Sequence, residues 1–215
     1  MPFSWCLFGC FSLIAVMLGA RAIYSGSIHF LFLIWNLFLA WVPYAISLLL
    51  RSKLPGKKFG QMILFGIWLI FFPNALYIIT DIIHLKDTGI VPIWYDALLL
   101  FTASLTGIAM GFASLINAEL FIARIFPRLS KRYSPLIVVF FFFLGAFGVY
   151  LGRFERWNSW NIISNPTELL QNIALNFIEP FEHLRTWGVT GLLTVLYTVF
   201  WFSLRSFRGL EGKQG

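Results

Sequence analysis

The chain has 215 residues, of which 59% are hydrophobic, 19% aromatic and only 12% charged, with a formal net charge of +7. Soluble domains run at about 45–50% apolar and about 25% charged, so 25 Phe and 9 Trp leave too little polar surface to clothe a water-soluble globule. A soluble fold is excluded, and so is a nucleic-acid surface, because the basic residues fall in short groups between apolar runs rather than along one face.

A helix needs about 20 apolar residues to cross about 30 Å of hydrocarbon. In chain order the qualifying stretches are 3–20, 30–50, 59–85 with a kink at Pro73, 93–122, 135–151 and 187–204. The first has no Lys or Arg before Arg21 and only Leu18-Gly19-Ala20 as a cleavage site, so it reads as an uncleaved span rather than a signal peptide. Cys6 and Cys10 lie one helical turn apart within it, unsuited to a disulfide or a zinc pattern, and packing is their expected role. The predicted fold is all-α: a single transmembrane domain over 1–215, a polytopic bundle of about six spans surrounded by membrane lipids.

With the N-terminus in the cytoplasm, the inner segments carry Arg51, Lys53, Lys57, Lys58, Arg124, Arg128, Lys131, Arg132, Arg205, Arg208 and Lys213, whereas Arg21, Lys86, Arg153, Arg156 and Arg185 fall outside. The excess of inner cations places both termini in the cytoplasm. The acids are lopsided the other way: Asp81, Asp87, Asp96, Glu155, Glu168, Glu179 and Glu182 fall outside, leaving Glu119 and Glu211 inside.

The long connection 152–186 contains Asn165-Pro166-Thr167-Glu168, a helix start with an Asn cap and Pro in the first position. Leu169, Leu170, Ile173, Ala174, Phe177 and Ile178 then recur at helical spacing, predicting an amphipathic interfacial helix between spans five and six that Pro180 stops. Trp157, Trp160 and Trp187 suit an aromatic belt around it. Such a helix serves as an anchor, or as a lid over a membrane-facing site. Ala103, Gly107 and Gly111 on the fourth span, and Gly148 and Gly152 on the fifth, form small-residue faces that suit helix packing or contact with a protein partner or second copy. No internal repeat is visible, which counts against a transporter of symmetric halves.

Polar groups inside spans need partners. At about 1.5 Å per residue, Asn74 lies roughly 22 Å from the cytoplasmic end of the third span and Asn36 roughly 9 Å below the outer surface, so the two share a depth. Asp81 and His84 arrive at the outer interface, Asp96 about one turn inside it, and Arg153, Arg156 and Asn158 at the outer end of the fifth span. Asp81 and His84 at i, i+3 suit a carboxylate orienting an imidazole, and Arg153 and Arg156 suit an anion clamp. Three readings stay open. In the first, the acids neutralise the arginines as structural glue; in the second, Asn36, Asn74, Arg153, Arg156 and Asn158 bind a lipid headgroup or small polar ligand; in the third, Asp81, His84 and Asp96 act as catalytic acid and base, or at most hold one sparse divalent ion, no dedicated metal site being expected. Asn117 and Glu119, beside Arg124, read as a cytoplasmic ion pair or helix-end group, and offer the only hint of a transport path. Pro73 frees a backbone carbonyl that Asn74 or Asn36 could satisfy. No established catalytic or cofactor signature occurs.

The stretches WNLFLAWVP (Trp35 to Pro43), FFPNALYIITDIIHL (Phe71 to Leu85), Trp94-Tyr95-Asp96 and GRFERWNSWN (Gly152 to Asn161) resemble a bacterial membrane family catalogued as domain of unknown function 1361. Leu76, where the pattern has Pro, and Asn161, where it has Asp, depart from it. The resemblance implies a multi-helix inner-membrane protein of bacterial type and carries no known activity. As a test of topology, a cysteine near Lys57 is expected to be shielded from an impermeant thiol reagent in intact cells and one at Ser159 to be labelled; the opposite labelling overturns the orientation.

Overall fold

A computed structural model describes residues 3–52, 58–87 and 89–211, the last four by backbone alone. Of the cations counted for orientation, Lys53, Lys57 and Lys213 lie outside the described residues. The described residues form eight α-helices and no strand: α1 Phe3–Ser25, α2 Phe32–Arg51, α3 Lys58–Tyr77, α4 Ile93–Ile125, α5 Pro127–Phe154, α6 Asn161–Ser164, α7 Pro166–Ile178 and α8 Leu184–Glu211. Short 3-10 segments precede α2 at His29–Leu31 and follow α3 at Ile78–His84. Six of these stretches are long and apolar enough to cross a membrane. Their outward faces are apolar, Leu192 being 75% exposed and Val16 68%, as expected where the surrounding solvent is hydrocarbon.

The first span is longer than its apolar run. α1 continues past Ala20 through Arg21 to Ser25, so Arg21 belongs to a helix and not to a loop. Gly26, at φ 64 and with its N–H on the Ala22 carbonyl at 2.9 Å, ends the helix in the left-handed conformation that glycine adopts without a steric penalty. Cys6 is exposed on α1 rather than packed inward.

The third span changes helix type later than Pro73 suggests. The α-helix runs through Pro73 to Tyr77, and the 3-10 segment begins at Ile78. Its β-branched run, Ile78-Ile79-Thr80 and Ile82-Ile83, has lowered α-helical propensity, and the Ser104 hydroxyl donates to the Ile78 carbonyl at 3.2 Å where the change occurs.

The chain divides into two compact units, Met1–Ser114 and Leu115–Gly215, with α4 running unbroken through the boundary. In the first, Leu7, Ile14 and Leu18 of α1 share a core with Leu33, Leu37 and Ala40 of α2, Ala75 and Ile78 of the third span, and Leu99, Ala103 and Met110 of α4. Gly107 and Gly111 are buried against the third span. A Cβ at Gly107 would overlap Ile78 Cγ2 and stand 3.1 Å from the Ala75 carbonyl oxygen; one at Gly111 would stand 3.2 Å from Ala75 Cβ. The small-residue face that could have met a partner is therefore occupied by the chain's own third span.

In the second unit, α5 kinks at Tyr133 (φ −125, ψ 17), two residues before Pro135, so the basic stretch Arg128 to Arg132 precedes the apolar span. Gly148 and Gly152 are half-buried on α5. Phe142 of α5 packs on Tyr197 and Trp201 of α8. The helix expected after Asn165 is present as α7, with Asn165 at its N-cap position and Pro166 following, although the Asn165 side chain makes no capping bond. Its faces are disposed unexpectedly: Asn176 is buried, while Leu170, Phe177 and Ile178 are exposed. Trp187 Nε1 donates to the Asn176 carbonyl at 3.2 Å, and the Trp187 ring contacts Phe177 and Phe147. Trp160 stays 45% exposed.

Gly107→Val is expected to lower detergent melting by the equivalent of about 1–3 kcal/mol through overpacking against Ile78. Gly19→Ala, where a Cβ meets nothing within 4 Å, should melt like the wild type or slightly higher.

Candidate functional site

Arg21 and Asp96 form the centre of a polar cavity in the first unit. The Arg21 side chain is only 5% exposed. Its Nε donates to Asp96 Oδ1 at 2.7 Å and its Nη2 to Asp96 Oδ2 at 3.0 Å, a two-pronged ion pair joining α1 to α4. Asp96 itself is 1% exposed. The guanidinium carbon stands 4.3 Å from the centre of the Phe30 ring, within cation–π range. The Tyr95 hydroxyl donates to the Met17 carbonyl at 2.9 Å, a second tie between the same helices.

One nitrogen is left over. Arg21 Nη1 is buried and has no hydrogen-bond partner. A buried donor on a charged group without an acceptor is destabilising by more than about 1–3 kcal/mol, so an acceptor oxygen belongs beside it. Arg21 and Asp96 line a cavity of about 310 Å³ whose other walls come from Ser25, Ser27, His29 and Phe30 on one side and His84, Lys86 and Ile90 on the other. His29 and Lys86 are exposed at its rim and His84 is half-buried. The α1–α2 turn is braced by its serines: Ser25 Oγ donates to the Arg21 carbonyl at 2.8 Å, and the Ser27 N–H donates to Ser25 Oγ at 3.2 Å.

Because Arg21 and Asp96 neutralise one another, the remaining charge at the cavity is that of Lys86, with two imidazoles beside it. The cavity therefore suits an anion. An acceptor-rich group such as phosphate could take hydrogen bonds from the guanidinium, the ammonium, a serine hydroxyl and the rings together.

Of the residues singled out from sequence, His84 and Asp96 line this cavity, whereas Asn36, Asn74 and Asp81 are not among its lining residues. Asn36 Nδ2 donates to Asp81 Oδ2 at 2.7 Å, linking α2 to the 3-10 segment, and Asp81 is 1% exposed. His84 lies one 3-10 turn further on, its ring centre 4.8 Å from that of Phe32. Asn74 is half-buried on α3. Both oxygens of Asp96 and one of Asp81 are held by Arg21 and Asn36, which leaves these acids as structural acceptors before they are anything else. Among the described residues no three His, Cys, Asp or Glu side chains gather as a metal site would require.

Arg153, Arg156 and Asn158 belong to the second unit. Arg156 sits just beyond α5 at φ 61, a left-handed conformation rare outside glycine, and the Trp157 N–H closes the helix end on the Leu151 carbonyl at 3.0 Å. The Asn158 N–H donates to Asn161 Oδ1 at 2.7 Å, so Asn161 serves a turn. At the far end of α4, Glu119 forms an ion pair at 2.7 Å with Arg205 of α8, and accepts from Ser134 Oγ at 3.1 Å; Arg124 stands over the Phe121 ring.

Sequence reasoning missed Arg21, Ser25, Ser27, His29 and Lys86 as site residues. The available signal was Arg21 itself, a cation adjoining an apolar run with Asp96 placed at a matching depth.

Six apolar helices, outward apolar faces and a charge-paired polar layer in the first unit define a polytopic helical membrane protein. Residues 35–200 match the model of a family described as protein of unknown function, DUF1361, and the chain belongs to that family. No curated protein and no solved structure matches it. Asn36, Asn74, Asp81, His84, Lys86 and Asp96 lie within the matched region; Arg21, Ser25, Ser27 and His29 precede it.

Arg21→Ala, which strands the buried Asp96 carboxylate, is expected to destabilise the protein by about 3–5 kcal/mol. The paired change Arg21→Met with Asp96→Leu should recover most of that loss in detergent melting, since it removes both charges together.

Proposed function

We propose that the protein is a bacterial inner-membrane protein, with both termini cytoplasmic, that binds a phosphate-bearing anion in the Arg21 cavity at the extracytoplasmic end of its first unit. On this reading the chain is one transmembrane domain continuous through α4. Two observations carry the proposal: Arg21 Nη1 is buried without a hydrogen-bond partner, and Arg21 is one of the residues lining a cavity that Lys86 also lines. The two nitrogens bound to Asp96 fix the guanidinium in place before any ligand arrives, so little side-chain entropy is lost on binding. His29 and His84 add ring nitrogens, and the single net cation favours anions over neutral solutes.

A binding role is favoured over a catalytic one by the same geometry. Asp96 is held by Arg21 and Asp81 by Asn36, whereas a catalytic acid or base must be within reach of the proton it moves.

Calorimetry on purified protein in detergent, with glycerol phosphate as the probe, tests the proposal. The wild type should bind saturably and more weakly as salt is raised. Lys86→Gln should weaken binding about fivefold without changing the melting temperature. Absence of binding to the wild type, or an unchanged affinity in Lys86→Gln, overturns it.

A further inference from the structure

A second cavity, of about 610 Å³, is lined by α1 and α2. It is a groove with apolar walls, formed by Leu18, Gly19 and Ala22 of α1 and Ile34, Leu37 and Trp41 of α2. It extends along α1 from Phe11 to Ala22, about 16 Å at the rise of an α-helix. The two cavities are neighbours along the chain: Arg21 lines one and Ala22 the other, and Phe30 and Leu31 are divided in the same way.

We infer that the anion is the phosphate of a membrane phospholipid, and that one of its acyl chains lies in this groove. The inference rests on the anion site proposed above. At hydrocarbon depth there is no water to fill a groove of this kind, and the apolar molecules at hand are lipid tails. Because a tail in the bilayer is already in an apolar medium, its transfer to the groove gains little from hydrophobicity; shape and the headgroup contacts must select it. The order of the two cavities along α1 meets that requirement. The groove occupies the apolar body of the helix, and the Arg21 cavity lies at its end, where a phosphate sits relative to its acyl chains. Gly19 provides room on the α1 wall: a Cβ there would meet nothing within 4 Å.

The experiment compares phosphatidylglycerol with glycerol phosphate on purified, delipidated protein in detergent, reading lipid retention by native mass spectrometry and glycerol phosphate binding by calorimetry. The wild type is expected to bind phosphatidylglycerol at least tenfold more tightly than glycerol phosphate. Gly19→Phe fills the groove and should lose at least tenfold in lipid affinity while leaving glycerol phosphate affinity within twofold. Ala22→Leu is a smaller block of the same groove and should move in the same direction, which guards against a folding defect in the first variant. Lys86→Gln should weaken both ligands. If both groove variants bind phosphatidylglycerol within twofold of the wild type while glycerol phosphate binding still depends on Lys86, the lipid seating is overturned and the anion site stands. If glycerol phosphate fails to bind, and phosphatidylglycerol is retained equally by the wild type, Gly19→Phe and Lys86→Gln, the lipid is an annular contact only and both readings fall.

Discussion

The buried pairing of Arg21 with Asp96 is the constraint around which the first unit is arranged. A charge moved from water to an apolar interior loses several kcal/mol of hydration, and its partner must return that through good geometry. Here the two prongs at 2.7 and 3.0 Å and the Phe30 ring at 4.3 Å hold the guanidinium on three sides. Satisfying that pair requires the end of α1 and the start of α4 to stand at one depth. The Tyr95 bond to the Met17 carbonyl reinforces the register. The cavity is thus a by-product of an arrangement that the membrane already enforces, and the unpartnered nitrogen is its one unfinished feature.

A second pair, half-buried Asn36 with buried Asp81, ties α2 to the end of the third span. The two pairs differ in kind. Arg21 and Asp96 cancel in charge, while Asp81 meets a neutral amide. Together they tie α1 to α4 and α2 to the end of the third span through side chains that hold one another.

What was legible in the sequence follows from which signals are local. Six spans could be read because each is a continuous apolar run, and the depth argument that put Asn36 beside the third span relied only on a constant rise per residue. The end of α1 was not legible: the apolar run was cut at Ala20, yet Arg21 is helical and finds its partner 75 residues away in sequence. Pro73 was read as the break because its chemistry is local, whereas at Ile78 the β-branched run combines with a hydroxyl that Ser104 brings from another helix. The pairing of Glu119 with Arg205 is long-range in the same way. The burial of Asn176 on α7 is likewise invisible to a periodicity count, which puts an amide on the polar face.

The seven residues Ile78–His84 carry a geometric consequence of their own. A 3-10 helix rises about 2.0 Å per residue against about 1.5 Å in an α-helix, with three residues per turn. The segment is therefore about 3.5 Å longer than an α-helix of equal length, and Ile78, Asp81 and His84 stand above one another along a single edge. The third span behaves as a screw with a coarser thread at one end. Losing or gaining one residue in that thread would turn the edge by about 120°, carrying the Asn36 acceptor and the cavity-lining imidazole away together, so the two are mechanically one part.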